Sequence, residues 1–498
     1  MDSEVVVGID CSTTATKAIA WDYSGKNIAQ AGTPVRLSSP RANYYEQDPG
    51  DWWHSLKEAL QILTRQVRKD RISAVSVSNQ RETFVGLDKE GEPVRPAIIW
   101  LDERCKSQVD KFAAVIGDDR IHRITGKPKD YAPVVYRLAW MKEEEKDLYR
   151  KVVNFCDVHT FIVNKLTGHF KTSWASADPL GIFDLEKKIW SPEIIRQLGI
   201  IPGQLPVALP PGTVLGHVTS DAANASGLMS GTPVIAGGGD GQAAGTGVNA
   251  LSPGRAYLNL GTAVVSGTFT KNYLTERSFR TLACCAEEGY YCETSLRSGT
   301  FLTDWFINQI LKIEPERKQD IYVQLEKEAQ QIEPGSEGLM VLPYWNAVMN
   351  PYWDPDARGS IVGFTSAHNR GHLFRAILEG IAMEQSLATK AVEKATGERI
   401  KEFAVTGGGA KSDLWRQIIA DISGKEVLTM LAGEASSLGA GISAAVGAGW
   451  FSSFAEAAKN MVHVRFVTKP DSRNTERYHS LMDKYKVIYP SIKDIFRH

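Results

Sequence analysis

Long hydrophobic runs are missing from this sequence. No apolar stretch approaches the roughly 18 residues that a membrane-crossing helix needs, so no transmembrane segment is expected. Excess charge is missing too. The 57 basic residues against 58 acidic ones leave a formal net charge of −1, which provides no electrostatic footprint for nucleic acid or an anionic membrane. Cysteine is scarce: Cys11, Cys105, Cys156, Cys284, Cys285 and Cys292 are the six in 498 residues, and none form a CxxC pair. That pattern favours free thiols in a reducing cytoplasm over a disulfide framework or a zinc site. His368 and His372 have i, i+4 spacing, but Gly371 lies between them and the glutamate of an HExxH motif is lacking. No metal role is expected there. The start, Met1-Asp2-Ser3-Glu4, is acidic, and Asp10 soon breaks the apolar run behind it. This is not the form of a signal peptide, and a cytoplasmic protein is expected.

What is present is an ordinary globular composition, 43% hydrophobic and 23% charged. A chain of 498 residues exceeds what one core usually supports, so two or three domains are expected. Near the middle stands Gly237-Gly238-Gly239-Asp240-Gly241-Gln242-Ala243-Ala244-Gly245-Thr246-Gly247. Pro233-Val234-Ile235-Ala236 before it reads as a buried strand. The small residues let a helix begin close against its neighbours and let a substrate approach the backbone. Asp240 is the one ionisable group in the stretch, and by itself it fits a turn or helix cap as well as a catalytic role.

Residues 4–10 and 18–22 read as two strands joined by a turn of small and hydroxyl residues, Cys11-Ser12-Thr13-Thr14-Ala15-Thr16-Lys17. A carboxylate at one lip, hydroxyls at the tip and a lysine beyond suit a phosphate–magnesium site. The GxxxxGK spacing of a Walker A loop is missing, and an ordinary polar hairpin fits the same residues. The plan recurs at 254–267, where Leu260-Gly261-Thr262 forms the turn. Two such hairpins, opening halves of similar length, suggest a duplicated α/β architecture with a nucleotide between the halves. At 403–406 a strand runs into Gly407-Gly408-Gly409-Ala410, and Leu414, Ile418, Ile419 and Ile422 make 413–423 an amphipathic helix. Residues 72–78 read as a strand and 83–87 as its return, with Asn79-Gln80-Arg81-Glu82 between them. In a turn Arg81 and Glu82 can converge on one ligand, and donors beside acceptors match a neutral polyol. A surface ion pair worth ~0–1 kcal/mol is the plain alternative. The charge runs at 143–146 and 314–331 read as solvated helical faces.

Together these segments resemble the FGGY carbohydrate kinases, and the likeness runs from end to end. Residues 10–17 resemble the first phosphate motif, Leu260-Gly261-Thr262 the second, and Gly407-Gly408-Gly409-Ala410 the adenosine motif. Gly359-Ser360-Ile361-Val362-Gly363-Phe364, followed after seven residues by His372 to Glu379, resembles the C-terminal signature. Phe364 stands where an aliphatic residue is usual, Ser12 where glycine is common and Arg137 where lysine is usual.

The resemblance implies an α/β fold of two actin-like (ribonuclease-H-like) domains with the active site in the cleft between them. Residues 1–250 would bind sugar and carry the first phosphate motif, and 251–498 would bind ATP. It implies ATP with Mg2+, Asp10 organising the metal through water. Ser12, Thr13, Thr14, Lys17, Gly261 and Thr262 would hold phosphates, and Gly408, Gly409 and Ala410 would flank the adenosine. Asp240 matches the catalytic base, ionised at neutral pH if it keeps its ordinary pKa of ~3.9. Arg81, Glu82, Trp100, Tyr131, Asp240 and Gln242 would meet the substrate. Asn79-Gln80-Arg81-Glu82-Thr83 is similar to the glycerol kinase form, where xylulose kinases more often carry Met-His, whereas 407–422 looks more like the xylulose kinase branch. With no basic cluster expected around the pocket, a neutral sugar is favoured over a sugar phosphate. The expected activity is ATP-dependent phosphorylation of a ketopentose such as xylulose, with glycerol or erythritol as the alternative substrates. An actin- or chaperone-like ATPase without a sugar is the competing class. No nucleic-acid or membrane partner is expected, and a homodimer is allowed.

Overall fold

The computed structural model of the protein describes residues 4–286 and 288–496. Two large sheets organise it. The six-stranded sheet runs in the order Val214–His217, Pro233–Gly239, Ile72–Asn79, Val5–Cys11, Ala15–Trp21, Asn27–Pro34. The seven-stranded sheet runs Arg280–Ala283, Tyr290–Leu296, Val264–Thr270, Arg255–Leu260, Glu402–Thr406, Glu426–Met430, Val464–Thr468. The plan is shared. In each, a hairpin and a third antiparallel strand lie beside two parallel strands. Val5, Val6 and Val7 are all wholly buried, because helices cover both faces of a parallel sheet and leave no polar side for alternation to report.

Between the sheets lie two helices of small residues, Asp240–Gly247 and Ala435–Gly447. A Cβ on Gly439 would stand 1.8 Å from the carbonyl oxygen of Ala243, and one on Gly247 would stand 2.0 Å from that of Ala435. No side chain fits there, so the glycines set how closely the two helices approach. The second helix comes late in the chain yet packs on the first sheet, where Ser437 Oγ donates to the Gly8 carbonyl at 2.9 Å. Among the described residues no helix is long and apolar enough to cross a membrane.

One expected pairing is corrected. Phe84–Leu87 does not return along Ile72–Asn79 but leaves for a separate four-stranded sheet, where it pairs antiparallel with Asn154–Asp157. Glu82 explains the departure: its φ of 47° turns the chain out of the strand direction. The segment 413–423 forms the helix Asp413–Ser423, capped by Ser412 Oγ accepting from the Trp415 amide.

The long helix Arg370–Thr396 carries a buried carboxyl, Glu384, which accepts a hydrogen bond from Tyr344 Oη at 2.7 Å. Burial raises its pKa from the ordinary 4.5 to about 7. Between those values the folded protein holds a proton that the unfolded chain has released. The stability from that proton is present below about 4.5 and lost as pH rises through about 7. The cost at high pH is on the order of 3 kcal/mol. Thermal melts of Glu384→Gln should therefore show a gain in Tm at pH 8 that shrinks toward pH 5. An equal difference at both pH values would contradict the assignment.

Candidate active site

A cleft of about 1560 Å³ separates the two sheets, and Asp10, Arg81, Glu82, Trp100, Tyr131, Asp240 and Thr262 all line it. Asp240 stands where Pro233–Gly239 ends and the helix Asp240–Gly247 begins. Its Oδ1 accepts from the Gly241 amide at 2.7 Å and forms an ion pair with Arg81 Nε at 2.9 Å. Among the described residues no donor reaches Oδ2, so one oxygen is anchored and the other is left to meet an alcohol. Burial raises the carboxyl's pKa, and Arg81 is the main influence holding it down. This moves the group from its ordinary value toward the range where a general base works best.

The glycines around Asp240 make room for Arg81. A Cβ on Gly239 would stand 2.5 Å from Arg81 Cγ, and one on Gly241 would stand 3.0 Å from its Nη2. Arg81 and Glu82 both line the cleft but take different protein partners. Arg81 turns to Asp240 and to Glu293, with Nη1 2.9 Å from Glu293 Oε2, whereas Glu82 accepts from Arg280 Nη1 at 2.9 Å. Arg280 also binds Glu293 at 2.6 Å, and Tyr257 Oη donates to Glu293 at 2.6 Å. Sequence reasoning missed Tyr257, Arg280 and Glu293. They sit in separate strands whose pairing register brings them together, and no local motif marks them.

On the phosphate side, burial and the nearby Asp240 carboxylate raise the Asp10 pKa to about 7, while a hydrogen bond from Ser78 Oγ at 3.0 Å opposes this. Ser12 Oγ closes on its own turn, donating to the Ala15 carbonyl at 2.8 Å. Thr13 Oγ1 accepts from Trp100 Nε1 at 2.9 Å and donates to Gln80 Oε1 at 3.2 Å, which ties the Asp10 hairpin to the Trp100 and Arg81 segments. Thr14 and Thr262 are exposed, and Gly261 is half-buried. Lys17 is not a free cation: it pairs at 2.8 Å with Glu434, which also lines the cleft. A phosphate would have to compete with that carboxylate. Gly408 is exposed, whereas Gly409 and Ala410 are buried. A Cβ on Gly409 would strike the Trp415 ring at 2.4 Å.

Arg137 orders the other wall. Fully buried, it donates to the carbonyls of Ile99 and Ala132, the neighbours of Trp100 and Tyr131. Trp100 is exposed to the cleft, and Tyr131 stacks under Arg297 at 4.9 Å. Gln242 needs correction as a substrate contact. It is wholly buried, and its amide donates to the Ala175 carbonyl at 2.9 Å and to Asp178 at 3.3 Å. Two residues along a helix is about 200° around it, so Gln242 points away from the face that presents Asp240.

The sequence profile of the FGGY family of carbohydrate kinases, N-terminal domain, matches residues 5–247, and that of the C-terminal domain matches 256–448. The xylulose kinase of Bacillus subtilis (strain 168) is 30% identical over 497 residues, which cover 98% of this chain and 97% of that one. A gluconokinase of the same strain is 27% identical over 483 residues, covering 96% and 94%. The crystal structure of ligand-bound xylulose kinase from Lactobacillus acidophilus superposes with a TM-score of 0.92 at 26% identity, covering 99% of both chains. The chain belongs to the FGGY family of carbohydrate kinases. It is an ATP-dependent sugar kinase with two actin-like domains.

Proposed function

We propose that the enzyme transfers the γ-phosphoryl group of ATP to a primary hydroxyl of a small neutral ketose or polyol, a ketopentose such as xylulose foremost. The observation that carries this reading is Asp240, anchored through one oxygen on a cleft wall that Arg81 and Glu82 share. The transition state of phosphoryl transfer is loose and spreads charge over phosphate oxygens, so positioning and electrostatics supply most of the catalysis. Asp240 Oδ2 takes the proton of the attacking hydroxyl. The Asp10 hairpin, with Thr13 and Thr14, and the Gly261-Thr262 turn hold the phosphates from opposite sides.

Asp10 fits a divalent cation. Burial first, then the charges of Asp240 and Glu434, raise the pKa of its carboxyl, and a bound cation relieves that surplus. Among the described residues no group of three or more His, Cys, Asp or Glu side chains is arranged to hold a metal. That donor set suits a magnesium ion bound by one carboxylate, water and phosphate oxygens rather than by a protein cage. When bound, the magnesium neutralises charge on the phosphate oxygens.

The expectation that no basic cluster surrounds the pocket is corrected. Arg81, Arg280, Arg297, Lys129 and Lys106 line the cleft, and each is paired with a carboxylate: Asp240 and Glu293, Glu82 and Glu293, Asp130, Asp110, and Glu103; Arg277 lies farther from its partners, 3.5 Å from Asp118, and Arg358 donates to the backbone carbonyls of Pro355 and Ala357. Compensated charges favour hydroxyls over a phosphate or carboxylate. Glycerol or erythritol is the second reading, favoured by Arg81-Glu82 standing where xylulose kinases more often carry Met-His.

A coupled ADP-release assay across glycerol, erythritol, xylulose, ribulose and gluconate, with a sugar-free control, tests the proposal. Turnover is expected with xylulose or a short polyol and absent without sugar. Turnover with gluconate alone would overturn the neutral-substrate reading.

A further inference from the structure

The second sheet sends one transverse row of residues into the first half's substrate wall. Tyr257 is register-paired with Gly267, Gly267 with Glu293, and Glu293 with Arg280. Four adjacent strands thus present one line on one face. Gly267 is the gap in it. A Cβ there would stand 2.1 Å from Tyr257 Cε1, so the ring lies across the glycine and its hydroxyl reaches Glu293 beyond. Glu293 is buried and accepts hydrogen bonds from Arg81 Nη1 at 2.9 Å, Arg280 Nε at 2.7 Å and Tyr257 Oη at 2.6 Å, while Arg280 Nη2 forms an ion pair with it at 2.6 Å. Two guanidiniums, one from each half, converge on this carboxylate.

We infer that Glu293 is a positioning residue, through which the second half fixes the Arg81 guanidinium and, by way of Arg280, the Glu82 carboxylate in the orientation that binds substrate hydroxyls. The inference rests on the reading of Arg81 and Glu82 as the polyol-binding pair. Glu293 does not line the cleft; it acts on what does. Without its charge, the carboxylate shared by Arg81 and Arg280 is lost, and Arg81 keeps Asp240 and Arg280 keeps Glu82 as the one carboxylate partner of each. Like charges repel strongly when desolvated. Donors from three residues on one buried carboxylate fix the direction of the guanidiniums as well as their distance, which a polyol with several hydroxyls requires. The row further joins the sugar side to the phosphate side, because Tyr257 lies in the strand Arg255–Leu260, which leads directly into Gly261 and Thr262.

The test is steady-state kinetics on the full chain with whichever sugar it accepts, for wild type, Glu293→Gln, Arg81→Ala, the double variant and Tyr257→Phe. Glu293→Gln is expected to raise sugar KM by about tenfold or more, as loss of a charge-assisted hydrogen bond does, with ATP KM within about twofold of wild type. The double variant should be no worse in sugar KM than Arg81→Ala by more than about twofold, because residues acting through one another are non-additive. Tyr257→Phe, which removes one donor to Glu293 and keeps the ring, should move sugar KM the same way by less. It reads the same role should Glu293→Gln fail to fold. Three results would overturn the inference alone: sugar KM unchanged by Glu293→Gln and Tyr257→Phe while Arg81→Ala raises it, a double variant whose rise is the product of the singles, or equal rises in sugar and ATP KM. Unchanged sugar KM in Arg81→Ala would overturn the polyol assignment together with it.

Discussion

Asp240→Asn is expected to lose at least about 10² in kcat, the lower end of what general-base assistance supplies, while ATP binding survives. Asn keeps the size and one carbonyl oxygen, so the Gly241 amide retains an acceptor and the helix start is preserved. What disappears is the second oxygen's ability to take a proton. ATP affinity should hold because, in the proposed function, the nucleotide's phosphates are assigned to the two hairpin turns, not to this side chain. The comparison of kcat with an ATP-analogue Kd from calorimetry separates the two. Near-normal turnover, or a loss explained wholly by weaker nucleotide binding, would remove Asp240 from the chemistry.

Arg81→Ala is expected to raise sugar KM by about 10–100-fold, as loss of one or two charge-assisted hydrogen bonds does, with ATP KM little changed. A second effect separates it from other pocket variants. Asp240 must be ionised to accept a proton, so activity falls as pH drops through its pKa. Burial raises that pKa and Arg81 is the principal influence lowering it. Removing Arg81 therefore moves the acid limb of the kcat profile to higher pH. A limb that stayed in place, or moved to lower pH, would show that Arg81 does not govern the base.

Much of this site is legible along the chain because its parts are local. A strand ending in Asp10, hydroxyls at 12–14 and a lysine at 17 can be read in one pass, and so can glycines flanking Asp240. The helix Asp413–Ser423 begins and ends where its apolar spacing and its serine cap place it. The failures share a physical cause, which is that long-range pairing is not encoded in local pattern. Lys17 and Glu434 are 417 positions apart, and nothing near Lys17 announces that its charge is already compensated. The row Tyr257–Gly267–Glu293–Arg280 depends on the register of four strands, and a slip of one residue would turn each side chain to the opposite face. Phe84–Leu87 reads as the return of a hairpin because alternation marks a strand without naming its partner. Gln242 lies two residues from Asp240 in sequence, yet helical phase sends it into the core. Even the glycines around Asp240 were legible only in kind. They read as space for a substrate, and part of that space is filled by Arg81.

A crystal structure of the enzyme with a non-hydrolysable ATP analogue and its preferred sugar tests the central claim most directly. The account predicts Asp240 Oδ2 within about 2.6–3.2 Å of a primary hydroxyl that faces the γ-phosphate across the cleft, with Oδ1 still held by Arg81 and Gly241. A sugar bound with no hydroxyl near Asp240, or a γ-phosphate seated away from the Asp10 and Gly261 turns, would contradict it.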